Sequence, residues 1–361
     1  MVNRCGFRLL MCILILWVDS AWGSAASLYP AQIENLRTLV ATDGEAAGYY
    51  RGLYETANDA LGDLPNPIPV IVAEGRLTSD PAMIKSNASV KDIDKISALA
   101  WTWLVSKKEK YASKGEEFIL AWARVNRSDG DPINETKLEK LIVSYDILRP
   151  QFSSVDRDMV DNWLKERAVI LWNDPRGRTG NWESHRLKIT GLIATVVEDN
   201  SLWQAVEDGF KKQISGSFLP DGESMDFKLR DAMHYHLYSV SPLLTLACVA
   251  HQRKHEWYDY QAASGASLRR AVEFIEPYAL GEKSHIEFAH SKVKFDKARA
   301  DAGEGEYAPH RWNACESVPV FSEASCEDPR AEEIAANIAC GVPHKRFVDW
   351  ESVLNYIKRG K

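Results

Sequence analysis

Apolar residues recur at helical spacing through most of this chain, and clear period-two alternation is scarce. Such periodicity decides which kind of element a segment can bury. Ile189, Leu192, Ile193, Val196 and Val197 show it best, as an i, i+3, i+4, i+7, i+8 stripe that must pack on a neighbouring helix. Asp199-Asn200 then ends the stripe. The same pattern predicts helices over 30–42, 45–61, 91–106, 109–125, 135–148, 156–173, 182–198, 200–215, 226–252, 255–276 and 329–340. Short breaks with Gly, Pro, Asp or Asn separate most of them and make antiparallel hairpins. The fold class is therefore all-α. Such hairpins pack either as a superhelical solenoid or as a closed or nearly closed ring of helix pairs. No repeat of fixed length is visible, which favours the ring.

Arg4 and Arg8 precede an apolar run from Leu9 to Val18 and small residues from Ser20 to Ala26, the layout of an export signal. We expect a signal over 1–23 and one domain over 24–361. That run is too short to span a bilayer, and no later stretch approaches the roughly 20 apolar residues a membrane helix needs. The expectation is a soluble, secreted or periplasmic monomer. An oxidising compartment permits Cys315, Cys326 and Cys340 to pair within the C-terminal segment. Cys248, inside Leu246-Ala247-Cys248-Val249, reads as a buried free thiol. No C-x-x-C spacing points to zinc, and no metal or cofactor is expected. The sequons at Asn87, Asn126 and Asn134 would accept glycans in a eukaryotic secretory pathway.

The net charge of −7 excludes the broad basic footprint of a nucleic-acid binder. It leaves room for a polyanion held in a local basic cleft, for which Lys292, Lys294, Lys297 and Arg299 are candidates. Sugar rings stack on tryptophan, although most tryptophans are core or half-buried. Trp182 and Trp312, the latter beside Arg311, are the candidates for a cleft because polar residues surround them.

Two segments are denser in functional groups than packing requires. In the first, Gly180-Asn181-Trp182-Glu183-Ser184-His185-Arg186-Leu187-Lys188, a helix makes Asn181 and His185 i, i+4 neighbours. Its N-terminus would also favour an anion. In the second, Arg230-Asp231-Ala232-Met233-His234-Tyr235-His236-Leu237-Tyr238, one long helix would put Arg230, His234 and Tyr238 on a shared face with Tyr235 beside it. His234 and His236 point apart, which disfavours a metal pair. Capping and packing account for the same residues in many helices.

β-Elimination from a uronate sets a definite list of parts. The C5 proton must leave while the bond from C4 to the glycosidic oxygen breaks, and the carboxylate must be neutralised by an amide, a cation or an acid. A base takes the proton and an acid caps the leaving oxygen. Asn181, His185, Arg230 and Tyr238 match that list, with Glu183 in protonated form as a further neutraliser. Two carboxylates such as Glu183 and Asp226 would instead suit a glycoside hydrolase, and a glycan-binding protein without chemistry is a third reading.

Asn181-Trp182-Glu183-Ser184-His185-Arg186, Phe218-Leu219-Pro220-Asp221-Gly222 and the Arg230 to Tyr238 block followed by Pro242-Leu243 resemble the alginate-lyase superfamily of polysaccharide lyases. Asn134-Glu135-Thr136 leading into Ser144-Tyr145-Asp146 adds to the likeness, which spans roughly Trp101 to Lys297. The resemblance implies an incomplete (α/α) toroid with an axial cleft and metal-independent β-elimination of alginate or a related polyuronate such as glucuronan. It implies Asn181, His185, Arg230 and Tyr238 as catalytic residues. Trp182, Glu183, His234, Tyr235, Lys292, Lys294, Arg311 and Trp312 would contact an acidic polysaccharide. Mannuronate-specific members carry adjacent Asn-Asn-His where this chain has Asn181-Trp182-Glu183, so the histidine moves to His185 or its role is filled differently.

Overall fold

The computed structural model describes residues 28–338, 340 and 345–360. The expected signal segment lies outside them. The N-terminal half runs through α1 (Pro30–Thr42), α2 (Gly44–Ala60), α3 (Pro81–Ser106), α4 (Glu109–Val125), α5 (Pro132–Glu135), α6 (Glu139–Leu148) and α7 (Ser154–Asn173). It continues through α8 (Gly180–Val196), α9 (Asn200–Ser217), α10 (Met225–Arg230), α11 (Met233–Gln252) and α12 (Leu268–Ala279). A two-stranded hairpin, β1 (Ile286–Glu287) with β2 (His310–Arg311), encloses α13 (Lys294–Asp301). The described chain ends with α14 (Val318–Ala324), α15 (Pro329–Asn337) and α16 (Trp350–Lys358).

These helices form the expected all-α toroid. Packing contacts pass from α2 to α3, α6, α8, α11, α14 and α16, and α16 returns to α1 and α2. The other long helices pack outside: α4 against α3, α7 and α9 against α8. An axial cavity of about 530 Å³ remains, lined by residues of the inner helices such as Trp101, Val143, Leu192, Leu244 and Leu354. The Ile189 stripe is buried as its spacing requires, each large apolar side chain contributing about 1.5–3 kcal/mol. The burial of α8 goes further, because every residue from Glu183 to Val197 is buried. Gly191 permits this, since a Cβ there would meet Leu246 Cδ2 at 2.5 Å.

The structure corrects the sequence in four places. The helix expected over 226–252 is two helices, because Asp231 adopts the left-handed region (φ 50°) and α11 starts afresh at Met233. The Glu287 carboxylate of β1 caps that start by accepting the N–H groups of Met233 (2.6 Å) and His234 (3.1 Å), a partner that local sequence cannot reveal. The helix expected over 255–276 begins only at Leu268, where Ser267 caps it through Arg270 N–H at 3.1 Å. Cys248 is not a free thiol. It bonds Cys326, with Cα atoms 5.8 Å apart, and Cys315 bonds Cys340, the former joining α11 to the turn after α14. Finally, Asn126 and Asn134 are 1% and 5% exposed and hydrogen-bonded inside the protein, which closes both sequons to glycans.

Cys326→Ser removes a bridge between residues 78 apart in sequence. Guanidinium unfolding should show a loss of about 2–4 kcal/mol. A loss under about 0.5 kcal/mol would mean that helix packing alone holds α11 to this turn.

Candidate active site

The candidate residues gather at the N-terminal ends of α8 and α11, which lie side by side and run parallel: His185 faces Tyr238, and Gly191 faces Leu246. The entry to α8 is built on Gly180, whose φ of +64° suits a residue without Cβ. A Cβ there would meet the Asp226 carboxylate at 2.6 Å. Asp226 accepts the backbone N–H of Asn181 at 2.6 Å, its side-chain amide at 3.2 Å and the Ser239 hydroxyl at 2.6 Å. One carboxylate thus caps α8, orients Asn181 and ties both to α11.

One helical turn on, His185 is 4% exposed, its Nδ1 is 2.9 Å from Thr136 Oγ1, and its ring centroid is 4.2 Å from that of Tyr238. Its Nε2 is buried without a hydrogen-bond partner. Burial lowers the His185 pKa well below the usual histidine value, and the Lys188 and Lys137 cations add to the effect. The ring is therefore neutral at pH 7. Burial also raises the Tyr238 pKa, with help from the Glu74 charge and the neighbouring tyrosines. A neutral imidazole beside a protonated phenol is a base and acid pair in its working state.

The wall opposite α11 comes from α5 and the turn after it. Glu135 forms a buried ion pair with Arg167, which also donates to Asn126 Oδ1 at 2.7 Å. Asn134 Oδ1 accepts the N–H groups of Ala73 and Glu74 at 2.8 and 3.0 Å, which fixes the 71–74 segment beside the site. These buried partners place Thr136, Lys137 and Glu74.

Arg230 does not share a helical face with Tyr238, because the break at Asp231 lies between them. It pairs with buried Asp296, and its guanidinium lies 3.8 Å from the Tyr235 ring centroid. Arg299 donates to the Tyr235 hydroxyl at 3.2 Å and stacks on Tyr307 at 4.5 Å. Burial pushes the Tyr235 pKa up to about 12. His234 is exposed at the rim and stacks on Tyr238 at 6.2 Å; partial desolvation, then Arg230 and Arg299, lower its pKa. A continuous row of rings and cations therefore runs from His185 through Tyr238 and Tyr235 to Tyr307.

Other expected residues fall elsewhere. Glu183, expected as a neutraliser, turns instead into an ion pair with buried Arg186, with Arg178 at 3.9 Å. Trp182 packs over the preceding loop, 6.0 Å from the Arg176 guanidinium. Trp312 is 7% exposed and belongs to the main core, and its backbone N–H donates to the His285 carbonyl at 3.0 Å. Arg311 is exposed on β2, and Lys292 and Lys294 are exposed beside α10 and on α13. The sequence reading passed over Thr136, Lys137, Lys188 and Tyr307. Lys188 had a signal, since it lies seven residues after Asn181 and three after His185 on one helical face.

With this geometry in view, comparison with known proteins is specific. The alginate lyase family model matches residues 42–285. A curated polysaccharide lyase of Stenotrophomonas maltophilia is 28% identical over 160 residues, 42% of this chain and 47% of that protein. The chain thus spans about half the length of the curated relative it matches. An alginate lyase from Bacteroides ovatus superposes with a TM-score of 0.70 at 14% identity, over 92% of this chain and 98% of that one. Alginate lyase A1-III from Sphingomonas species A1 gives 0.61 at 16% identity, over 89% and 92%. These two likenesses concern the fold, while the family match covers α2 to α12 and with them both helices that carry the site. The chain belongs to the alginate lyase family.

Proposed function

We propose that this protein is a polysaccharide lyase that cleaves a polyuronate, polymannuronate or glucuronan, by β-elimination, leaving an unsaturated uronate at the new non-reducing end. The observation that carries the reading is His185, neutral and with an unpartnered Nε2, against protonated Tyr238. Asn181 has one amide N–H on Asp226 and a second for a substrate carboxylate. Lys188 and Arg230, each already paired with one carboxylate, supply positive charge nearby. Together they lower the cost of enolate formation when C5 loses its proton. His185 takes that proton and Tyr238 protonates the departing C4 oxygen. The hydrolase reading loses its carboxylates, since Glu183 is committed to Arg186 and Asp226 to the start of α8.

In β-D-mannuronate and β-D-glucuronate the C5 proton and the C4 oxygen leave from one side of the ring, so neighbouring His185 and Tyr238 serve both. In α-L-guluronate they leave from opposite faces. Incubation with polymannuronate, glucuronan and polyguluronate should give ultraviolet-absorbing unsaturated ends from one or both of the first two in preference to the third. Saturated reducing ends without that absorbance would make the protein a hydrolase, and cleavage of polyguluronate alone would overturn the pairing of base and acid.

Tyr238→Phe should fold normally, by circular dichroism, and lower kcat by about two to four orders of magnitude, the scale of a lost acid-base group. Turnover near wild type would move the role to Tyr235.

The depressed His185 pKa also makes a stability statement. As pH falls below about 6.5 the unfolded chain takes up a proton that the buried ring refuses, so this residue costs stability by up to about 1.4 kcal/mol per pH unit. His185→Gln cannot titrate. In denaturant unfolding at pH 7.5 and 5.5 the variant should lose about 1 kcal/mol less than wild type over that interval. Equal losses would show that His185 takes up its proton as readily folded as unfolded.

A further inference from the structure

His251 lies in the last turn of α11, Glu256 follows it by five residues, and Glu327 lies in the turn between α14 and α15. One ligand atom of each lies within 4.8 Å of the other two. We propose that these three side chains bind a divalent transition-metal ion of the zinc type, as a structural clasp separate from the active site.

His251 Nδ1 and Glu327 Oε2 are 3.3 Å apart. That is longer than the roughly 2.7–2.9 Å of a charge-assisted hydrogen bond. It equals the edge of a tetrahedron, about 3.3 Å, whose centre is about 2.0–2.1 Å from each ligand, as in zinc sites. The Glu327 side chain is 5% exposed; its Oε2 pairs with His251 Nδ1, while its Oε1 is buried without a hydrogen-bond partner. Protonated His251 can supply the counter-charge of this buried carboxylate, and a metal ion would take the place of that proton. Glu256 and Asp259 add like charge beside Glu327, which an ion would relieve. Arg269 is occupied by Asp259 and Asp328. One imidazole with two carboxylates suits zinc better than calcium or magnesium, which prefer oxygen alone. Glu256 is exposed and His251 partly so, which lets water complete the coordination. The Cys248–Cys326 bridge, one residue from Glu327 and three from His251, holds the two ligands at this spacing. Thirteen helical residues, about 20 Å, separate His251 from Tyr238.

The test uses full-length protein stripped with chelator and desalted, titrated with zinc chloride by calorimetry and followed by thermal melting. One zinc per chain is expected, with a melting temperature raised by several degrees and restored to its starting value by EDTA. Glu256→Gln, at an exposed position, and His251→Gln should each weaken zinc binding at least tenfold and remove the thermal gain. Calcium and magnesium should bind at least tenfold more weakly. The absence of stoichiometric zinc binding, or an affinity unchanged in both variants, overturns the site. Polyuronate cleavage by the stripped protein should equal that of the zinc-loaded protein. Activity that requires zinc would place the ion in the reaction and overturn its structural role.

Discussion

A buried guanidinium sets where the active site begins. Arg186 is fully buried on α8, and it donates to the carbonyls of Leu171 (3.0 Å), Gly177 (2.9 Å) and Arg176 as well as to Glu183. A cation without water must spend its planar set of donors on fixed acceptors. Here those acceptors are the last turn of α7 and the loop that follows, so a single side chain fixes how the chain enters α8. Asn181 and His185 sit on the turn thus anchored, and Asp226 reaches across to secure the same turn to α11. The positions of these candidate groups are consequences of satisfying polar groups that the toroid has buried.

The electrostatics follow from the same burial. Desolvation acts in opposite senses on the two central groups, holding the His185 imidazole neutral and the Tyr238 phenol protonated. Neither state requires a nearby counter-ion, and the cations Lys137 and Lys188 reinforce the first. Farther along the row, Arg230 and Arg299 lie on aromatic faces and against Asp296 and Glu304. Both cations are thus held in place by a ring and a carboxylate each.

Most of the helices were legible in the sequence because each long one buries a stripe at regular spacing, and the stripe over 189–197 required no tertiary information. The pairing of Asn181 with His185 was legible for the same reason. The break at Asp231 was not, since Met233 and His234 are capped by Glu287, more than fifty residues away. Glu183 misled because a carboxylate two residues from a candidate histidine looks catalytic until its i+3 neighbour Arg186 is seen to be buried. Trp312 and Cys248 misled similarly: their immediate surroundings said nothing of the core position of the one or the bonded partner of the other. Sequence spacing reports on faces of single helices, and whatever joins two distant segments has to be seen in space.

The two cystines interleave, Cys248 with Cys326 and Cys315 with Cys340, so that one end of each bridge lies inside the loop closed by the other. The stretch between 248 and 340 carries α12, the β-hairpin with α13, and the Glu287 that starts α11. Its topology is that of two overlapping covalent rings. A protease that severs one peptide bond between 249 and 325 opens a ring without releasing a fragment. The rim of the cleft can be nicked there and still stay joined to the helices that hold His185 and Tyr238.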